Sequence, residues 1–123
     1  MPSLEHVGLA VEDVQTVIDD FERLLGVRPY KRETVTAQGV RTHFLDAGGT
    51  KLELLEALDA DSPLRSFLEE RGEGLHHLAF EVDALPATLR RLREEGFTVL
   101  QDEPQPGADD KRIAFVHPKE THG

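Results

Sequence analysis

Hydrophobic positions at the start of the chain switch from a period of two to a helical period. Apolar residues alternate over residues 7–11, which is typical of a strand with one buried face. Over residues 14–25 the apolar spacing becomes three and one, which predicts one amphipathic helix. Asp13 is a suitable N-cap for this helix, and Gly26 is suited to end it. The chain therefore opens with a strand followed by a helix.

The strand pattern recurs later in the chain with the same register. The segments His6–Val11 and His77–Val82 align at an offset of 71, and the same offset places Phe44 on Phe115. Because two separate segments match in one register, we predict an internal repeat of about 70 residues. Repeat 1 spans about residues 1–58.

Each repeat is predicted to fold as βαβββ, so the expected fold class is α+β. We expect two tandem βαβββ modules to form a curved mixed sheet, all within one domain of 123 residues. Repeat 2 spans about residues 73–123. Between the repeats, Ser62 as N-cap, Pro63 in the first turn and Gly72 at the end predict a linker helix over about residues 62–72.

The remaining elements follow from shorter patterns. In repeat 2, Asp83 is expected to cap a helix that ends near Gly96, and Leu78 and Phe80 are expected to pack on that helix. Gly48-Gly49 predicts a hairpin turn. The other extended segments are predicted at residues 28–34, 40–46, 51–56, 97–101 and 112–116.

The alternation of the two histidine strands indicates a candidate site. Since the larger apolar residues of each strand face the helix, His6 and His77 lie on the opposite face. Each is followed two positions later by a small residue, Gly8 or Ala79, which leaves room for a ligand. On the strand at residues 51–56, the same alternation turns Glu53 toward the histidines.

Two imidazoles and one carboxylate on a common face suit a divalent metal such as Zn²⁺, Co²⁺, Ni²⁺ or Mn²⁺. The alternative for each residue taken alone is a polar side chain on a solvated sheet face. The repeat favours the metal, because equivalent positions of both repeats carry histidine.

Composition excludes several classes of function. With 14 basic against 24 acidic side chains the formal charge is −10, which argues against binding to nucleic acids or anionic membranes. The absence of cysteine excludes a disulfide framework and a cysteine-based zinc site or nucleophile. No apolar stretch reaches about 18 residues and the N-terminus does not resemble a signal peptide, so we expect a cytoplasmic protein.

Several longer segments carry a resemblance to a known family. They are Gly72-Glu-Gly-Leu-His-His-Leu-Ala-Phe-Glu-Val82, Phe115-Val-His-Pro-Lys-Glu-Thr-His-Gly123, Thr50-Lys-Leu-Glu-Leu-Leu-Glu56 and Asp61-Ser-Pro63. With them the chain resembles the vicinal oxygen chelate superfamily, which includes glyoxalase I, and within it the methylmalonyl-CoA epimerase family. The similarity runs over nearly the whole chain, and it implies a glyoxalase-like fold with a metal site in the cleft of the sheet.

The resemblance implies His6, Glu53 and His77 as ligands of a divalent metal ion. Co²⁺ is the first expectation, with Mn²⁺, Ni²⁺, Zn²⁺ and Mg²⁺ as alternatives. The family's fourth ligand is a glutamate on the last strand of the second repeat, which would lie beyond Gly123. Repeat 2 is therefore expected to lack its last strand in this sequence.

The resemblance also implies an activity, the interconversion of (2R)- and (2S)-methylmalonyl-CoA by α-proton abstraction through a metal-stabilised enolate, in a homodimer. The catalytic acid and base stay unassigned, because the expected glutamate lies beyond Gly123 and Thr42 occupies the second base position. His43 alternates to the other face from Thr42 and is interpreted, like His122, as a surface residue. The candidates for binding the anionic CoA are Arg41, Lys51, Lys111, Arg112 and Lys119.

Two alternative functions share this fold. One is a lyase or isomerase of the glyoxalase I type that acts on a glutathione adduct. The other is a non-catalytic ligand-binding member of the superfamily. The epimerase is favoured by the two longest matching segments, and the binding protein would not need the three metal ligands.

Overall fold

The computed structural model describes all residues, 1–123, and these form two compact units. The first unit comprises residues 3–81, and the second comprises residues 1–2 with 82–123. The elements of the first unit are β1 (Ser3–Ala10), α1 (Val14–Leu25), β2 (Lys31–Val35), β3 (Val40–Asp46), β4 (Lys51–Ala57), α2 (Pro63–Arg71) and β5 (Gly74–Glu81). Those of the second unit are α3 (Leu85–Glu94), β6 (Gln105–Pro106) and β7 (Arg112–Ile113). The predicted α+β class is confirmed.

Helix α1 begins and ends at the predicted residues. Asp13 accepts a hydrogen bond from the backbone N–H of Thr16 at 3.3 Å, and Gly26 takes a left-handed conformation with φ 71°. The apolar stripe of α1 covers one face of the sheet. There Ile18 packs with Val11 and Leu54 in the core of the unit, beside the partly buried residues of the same stripe.

Helix α2 is also confirmed at its predicted position. The Ser62 hydroxyl accepts from the N–H of Leu64 at 3.2 Å, and Pro63 stands in the first turn. The N–H of Gly72 donates to the carbonyl of Leu68 at 2.8 Å and ends the helix. Leu64 and Leu68 are the buried residues of α2.

The first unit contains a five-stranded mixed sheet in the order β2-β3-β4-β1-β5. Strand β1 runs parallel to β4 and antiparallel to β5, and the predicted hairpin turn at Gly48-Gly49 joins β3 to β4. Gly8 of β1 lies opposite Glu53 on one side and His77 on the other. The register therefore brings residues of three neighbouring strands together at the middle of β1.

Strand β5 differs from the prediction on its helix-side face. Leu78 and Phe80, which were expected to face a helix, are 56% and 60% exposed in the structure. The corresponding residues of β1 lie between two neighbouring strands, whereas β5 is an edge strand that pairs only with β1. An edge position leaves a strand with fewer apolar neighbours on either face.

The second unit has little regular sheet. The two strands β6 and β7 are two residues each, and the predicted segments at 97–101 and 112–116 meet only at a bridge between Val99 and Val116. The nearby Pro104 and Pro106 limit the pairing, because proline cannot donate to a ladder. The predicted Asp83 cap is wrong as well, since α3 begins after Ala84 without a side-chain cap.

Candidate metal centre

His6, Glu53 and His77 meet on one face of the five-stranded sheet, all within the first unit. The Nε2 atoms of His6 and His77 are 2.9 Å apart, and His6 Nδ1 lies 3.2 Å from Glu53 Oε2. Glu53 is only 3% exposed, although it is a charged residue. A carboxylate this buried needs a partner to offset its lost hydration, and the histidine beside it supplies one.

Gly8 makes the approach of the two histidines sterically possible. A Cβ atom at this position would lie 2.4 Å from Cε1 and 2.9 Å from Nε2 of His77. The alternation of β1 predicts that this small residue leaves room for a ligand. The structure instead uses this space for the imidazole of His77, which packs directly over the glycine.

The environment keeps His77 neutral. Burial, together with the neighbouring imidazoles of His6 and His76, lowers the pKa of His77 to about 3. Burial and the nearby Arg71 also lower the pKa of His76, whose ring stands edge-on to Phe67. A neutral imidazole keeps a lone pair on one ring nitrogen, as a metal ligand must.

Glu5 belongs to this cluster, although the sequence analysis did not select it. Its Oε1 lies 2.6 Å from His6 Nδ1, and its Oε2 lies 2.6 Å from Nζ of Lys51. Burial raises the pKa of Glu5, but hydrogen bonds with Lys51 and His6 outweigh burial and hold the pKa below its usual value. The alternation of β1 does not predict this position, because in a regular strand the side chain of Glu5 would point to the face opposite His6.

The donor atoms fit a divalent cation. Ligand atoms of Glu5, His6 and Glu53 lie within 4.8 Å of one another, and the structure thus offers a group that could hold a metal ion. His77 adds a second imidazole next to Nε2 of His6. Imidazole and carboxylate are the ligands that first-row divalent metals take in proteins. The Nδ1 atom of His6 lies beside the carboxylates of Glu5 and Glu53, and its Nε2 atom lies beside His77.

The other predicted site residues are more dispersed. Lys51 lies next to the cluster, whereas Arg41 is on the opposite face of the sheet, 3.1 Å from Glu56. Thr42 is 1% exposed and faces Leu55 in the β3–β4 pairing. Three further candidates lie in the second unit: Lys111, Arg112 and Lys119.

His43 is not a surface residue, as the sequence analysis expected. It is 6% exposed, and its Nε2 lies 3.2 Å from Glu56 Oε1. The prediction that it faces away from Thr42 agrees with the strand register. The error concerns burial alone, because alternation assigns a face without showing how much of that face is covered.

Comparison with known proteins identifies the class to which this fold and cluster belong. Residues 5–115 match the family model of the glyoxalase/bleomycin resistance protein/dioxygenase superfamily, and the chain belongs to this superfamily. The helices of the structure include no candidate for a membrane-spanning segment.

Within the superfamily, the similarity includes methylmalonyl-CoA epimerases, as the sequence resemblance implied. The chain is 36% identical to the ethylmalonyl-CoA/methylmalonyl-CoA epimerase of Cereibacter sphaeroides, over 98% of this chain and 91% of that protein. It is 42% identical to YqjC of Bacillus subtilis, over 100% of this chain and 88% of that protein. Streptomyces coelicolor methylmalonyl-CoA epimerase in complex with 2-nitronate-propionyl-CoA matches with a TM-score of 0.90 and 34% identity, over 98% of this chain and 90% of that chain.

Proposed function

We propose that this chain is a divalent-metal-dependent epimerase that interconverts (2R)- and (2S)-methylmalonyl-CoA. The observation that carries the proposal is the meeting of repeat-related His6 and His77 with buried Glu53 on one face of the sheet. Nearly full-length similarity to epimerases of this substrate supports the choice of reaction. The two superfamily alternatives lack a comparable observation in their favour.

In this proposal His6, Glu53 and His77 hold the metal. Their donor set suits a divalent ion, and the low pKa of His77 keeps this ligand unprotonated at neutral pH. When bound, such a metal acts as a Lewis acid that stabilises the negative charge of an enolate formed from a thioester. Co²⁺ stays the first expectation for its identity, with Mn²⁺, Ni²⁺, Zn²⁺ and Mg²⁺ as alternatives.

The surrounding residues prepare this face for the ligand. The His77 ring over Gly8 fixes the position of one ligand nitrogen, and the buried Glu53 supplies negative charge to the cation. Thr42 cannot act as a base at neutral pH, so the acid and base of the reaction stay unassigned. Among the basic residues predicted for CoA binding, Lys51 is the one that the first unit places beside the cluster. The homodimer and the cytoplasmic location stay predictions.

Substitution of the three proposed ligands tests this assignment. We expect His6→Ala, His77→Ala and Glu53→Ala each to lower the metal content of the purified protein and to abolish epimerisation of methylmalonyl-CoA. A matched control is His122→Asn, which removes an exposed histidine in the second unit and retains a residue that tolerates its positive φ of 64°. Metal content is measured by inductively coupled plasma mass spectrometry after purification without chelators. Ligand variants that keep both metal and activity would refute the proposal.

A further inference from the structure

A β-bulge in β1 places Glu5 beside its neighbour His6. The pairing with β5 puts Leu4 opposite Phe80 and His6 opposite Ala79, so Glu5 is the extra residue at this shift of register. Adjacent side chains of a regular strand point to opposite faces, and a bulge removes that constraint. Bulges frequently serve to re-aim a side chain next to a functional site.

Both oxygens of the Glu5 carboxylate have specific partners. Oε1 lies 2.6 Å from Nδ1 of His6, and Oε2 lies 2.6 Å from Nζ of Lys51. Lys51 is directly opposite His6 in the β1–β4 pairing, which explains how one side chain reaches both. The side chains of Glu5 and Lys51 are 14% and 16% exposed, so this is a largely buried ion pair. With both oxygens engaged, Glu5 is better placed to act on His6 than to bind a metal directly.

The two carboxylates beside His6 determine the direction of the hydrogen bonds in the cluster. An ionised carboxylate only accepts, and both Glu5 Oε1, at 2.6 Å, and Glu53 Oε2, at 3.2 Å, lie near Nδ1 of His6. Because Glu5 is the nearer acceptor, it contributes most to holding the proton of neutral His6 on Nδ1, and Nε2 carries the lone pair. His77 then donates from its Nε2 to Nε2 of His6 across 2.9 Å. The Nδ1 of His77 is thereby left to accept from Nδ1 of His76, also at 2.9 Å. One set of tautomers is therefore consistent with every hydrogen bond in the series that runs from His76 through His77 and His6 to Glu5.

We propose that Glu5 is a positioning residue that fixes His6 in its Nδ1–H tautomer, with the lone pair of Nε2 turned toward His77, and that Lys51 holds Glu5 in place. Carboxylates that accept from the second nitrogen of a ligating histidine orient the ring and raise its basicity as a ligand. The role toward a metal rests on the proposed function. The tautomer of His6 is a property of the metal-free protein and does not rest on it.

The first test reads the tautomer directly, in metal-free protein, through two-bond ¹H–¹⁵N correlations of the histidine rings. Wild type should show His6 as the Nδ1–H form. Glu5→Ala leaves only the more distant Glu53 Oε2, at 3.2 Å, as a carboxylate acceptor for Nδ1 of His6, and it should give a mixture of the two tautomers. Glu5→Gln, which retains an oxygen acceptor, should preserve more of the Nδ1–H form. The control Glu12→Ala breaks an exposed ion pair with Arg65 in the same unit and should leave His6 unchanged.

The second test measures the affinity for Zn²⁺ and Co²⁺ by competition with a chromophoric chelator. Glu5→Ala should bind roughly 10–100-fold more weakly, as expected on removing a partner of a metal-ligating histidine. Lys51→Met leaves the Glu5 carboxylate in place and provides a second variant if Glu5→Ala does not fold. Lys51→Met should also give a mixture of His6 tautomers, with a smaller fraction of the Nε2–H form than Glu5→Ala gives.

The results separate this proposal from the proposed function. An unchanged His6 tautomer in the folded Glu5→Ala and Lys51→Met proteins overturns the positioning role, even if the wild type epimerises its substrate. A mixed tautomer in these variants supports the role, even if the wild type shows no epimerase activity. A wild-type protein that already has His6 protonated at Nε2 contradicts the proposal outright.

Discussion

The two repeats carry similar sequence patterns, but their surroundings in the structure differ. In repeat 1, β1 lies between β4 and β5, and α1 covers a core that includes Val11 and Leu54. In repeat 2, β5 is at the edge of the sheet, and the later strands β6 and β7 are two residues each. Leu89 is the only buried hydrophobic residue of the second unit. A strand-and-helix pattern therefore predicts the elements, while neighbouring strands decide how well they are packed.

The candidate metal centre shows what this asymmetry does to function. Each predicted repeat supplies one histidine to the cluster, and both histidines lie in the better-packed first unit, at residues 3–81. The strands of repeat 1 supply all of the carboxylates that contact His6, which are Glu5 and Glu53. The carboxylates beside His6 thus both come from strands of the better-packed first unit.

The largest expected effect compares a core residue of each unit. Leu54→Ala should lower the free energy of unfolding by about 2–5 kcal/mol, because Leu54 is fully buried among several other core residues. Leu89→Ala should lower the free energy of unfolding by less, since the second unit has no other buried hydrophobic residue around the cavity that the substitution would leave. Urea unfolding followed by circular dichroism measures both. An equal or larger loss for Leu89→Ala would show that the second unit is packed as tightly as the first.

A smaller effect compares the equivalent positions Gly8 and Ala79 of the two histidine strands. Gly8→Ala should lower the metal affinity about tenfold or more, because the new methyl group would overlap the imidazole of His77. Ala79→Gly makes the reverse exchange in repeat 2 and should change the affinity less than twofold. Chelator competition on both proteins provides the measurement. A Gly8→Ala protein with wild-type metal affinity would mean that the close packing of the His77 ring on Gly8 is not needed for metal binding.

The smallest effect compares the two predicted helix caps. Asp13→Ala should cost about 1 kcal/mol, because Asp13 accepts from the N–H of Thr16 at the start of α1. Asp83→Ala should change the stability by less than about 0.5 kcal/mol, since α3 begins without a side-chain cap. Thermal unfolding of the two variants in parallel gives the difference. If Asp83→Ala were as costly as Asp13→Ala, a cap at α3 would have to exist in solution.

Sequence patterns predicted what depends on local structure. The bounds of α1 and α2, the turn at Gly48-Gly49 and the strand at Val40–Asp46 all follow from caps, turns or alternation within a few residues. These features need no knowledge of which elements pack together. Alternation also predicts one common face for His6, Glu53 and His77, although their proximity requires β4, β1 and β5 to be neighbours in the sheet.

Features that depend on tertiary pairing were not accessible. Glu5 joins the cluster through a bulge that arises only when β1 pairs with β5, and no pattern in β1 alone announces it. The burial of His43 and the exposure of Leu78 and Phe80 depend on how far other elements cover each face. The short strand pairing in predicted repeat 2 depends on Pro104 and Pro106, and the apolar alternation used to predict strands does not include the effect of proline.

The most direct test of the proposed function follows the exchange of the α-proton of methylmalonyl-CoA in D₂O by NMR. The protein is first stripped with a chelator and then reconstituted with Co²⁺, or with one of the alternative ions. We predict exchange with the reconstituted protein, little or none with the stripped protein, and none with reconstituted His77→Ala. Exchange that proceeds equally in the stripped protein, or an absence of exchange with every ion, would contradict the metal-dependent epimerase.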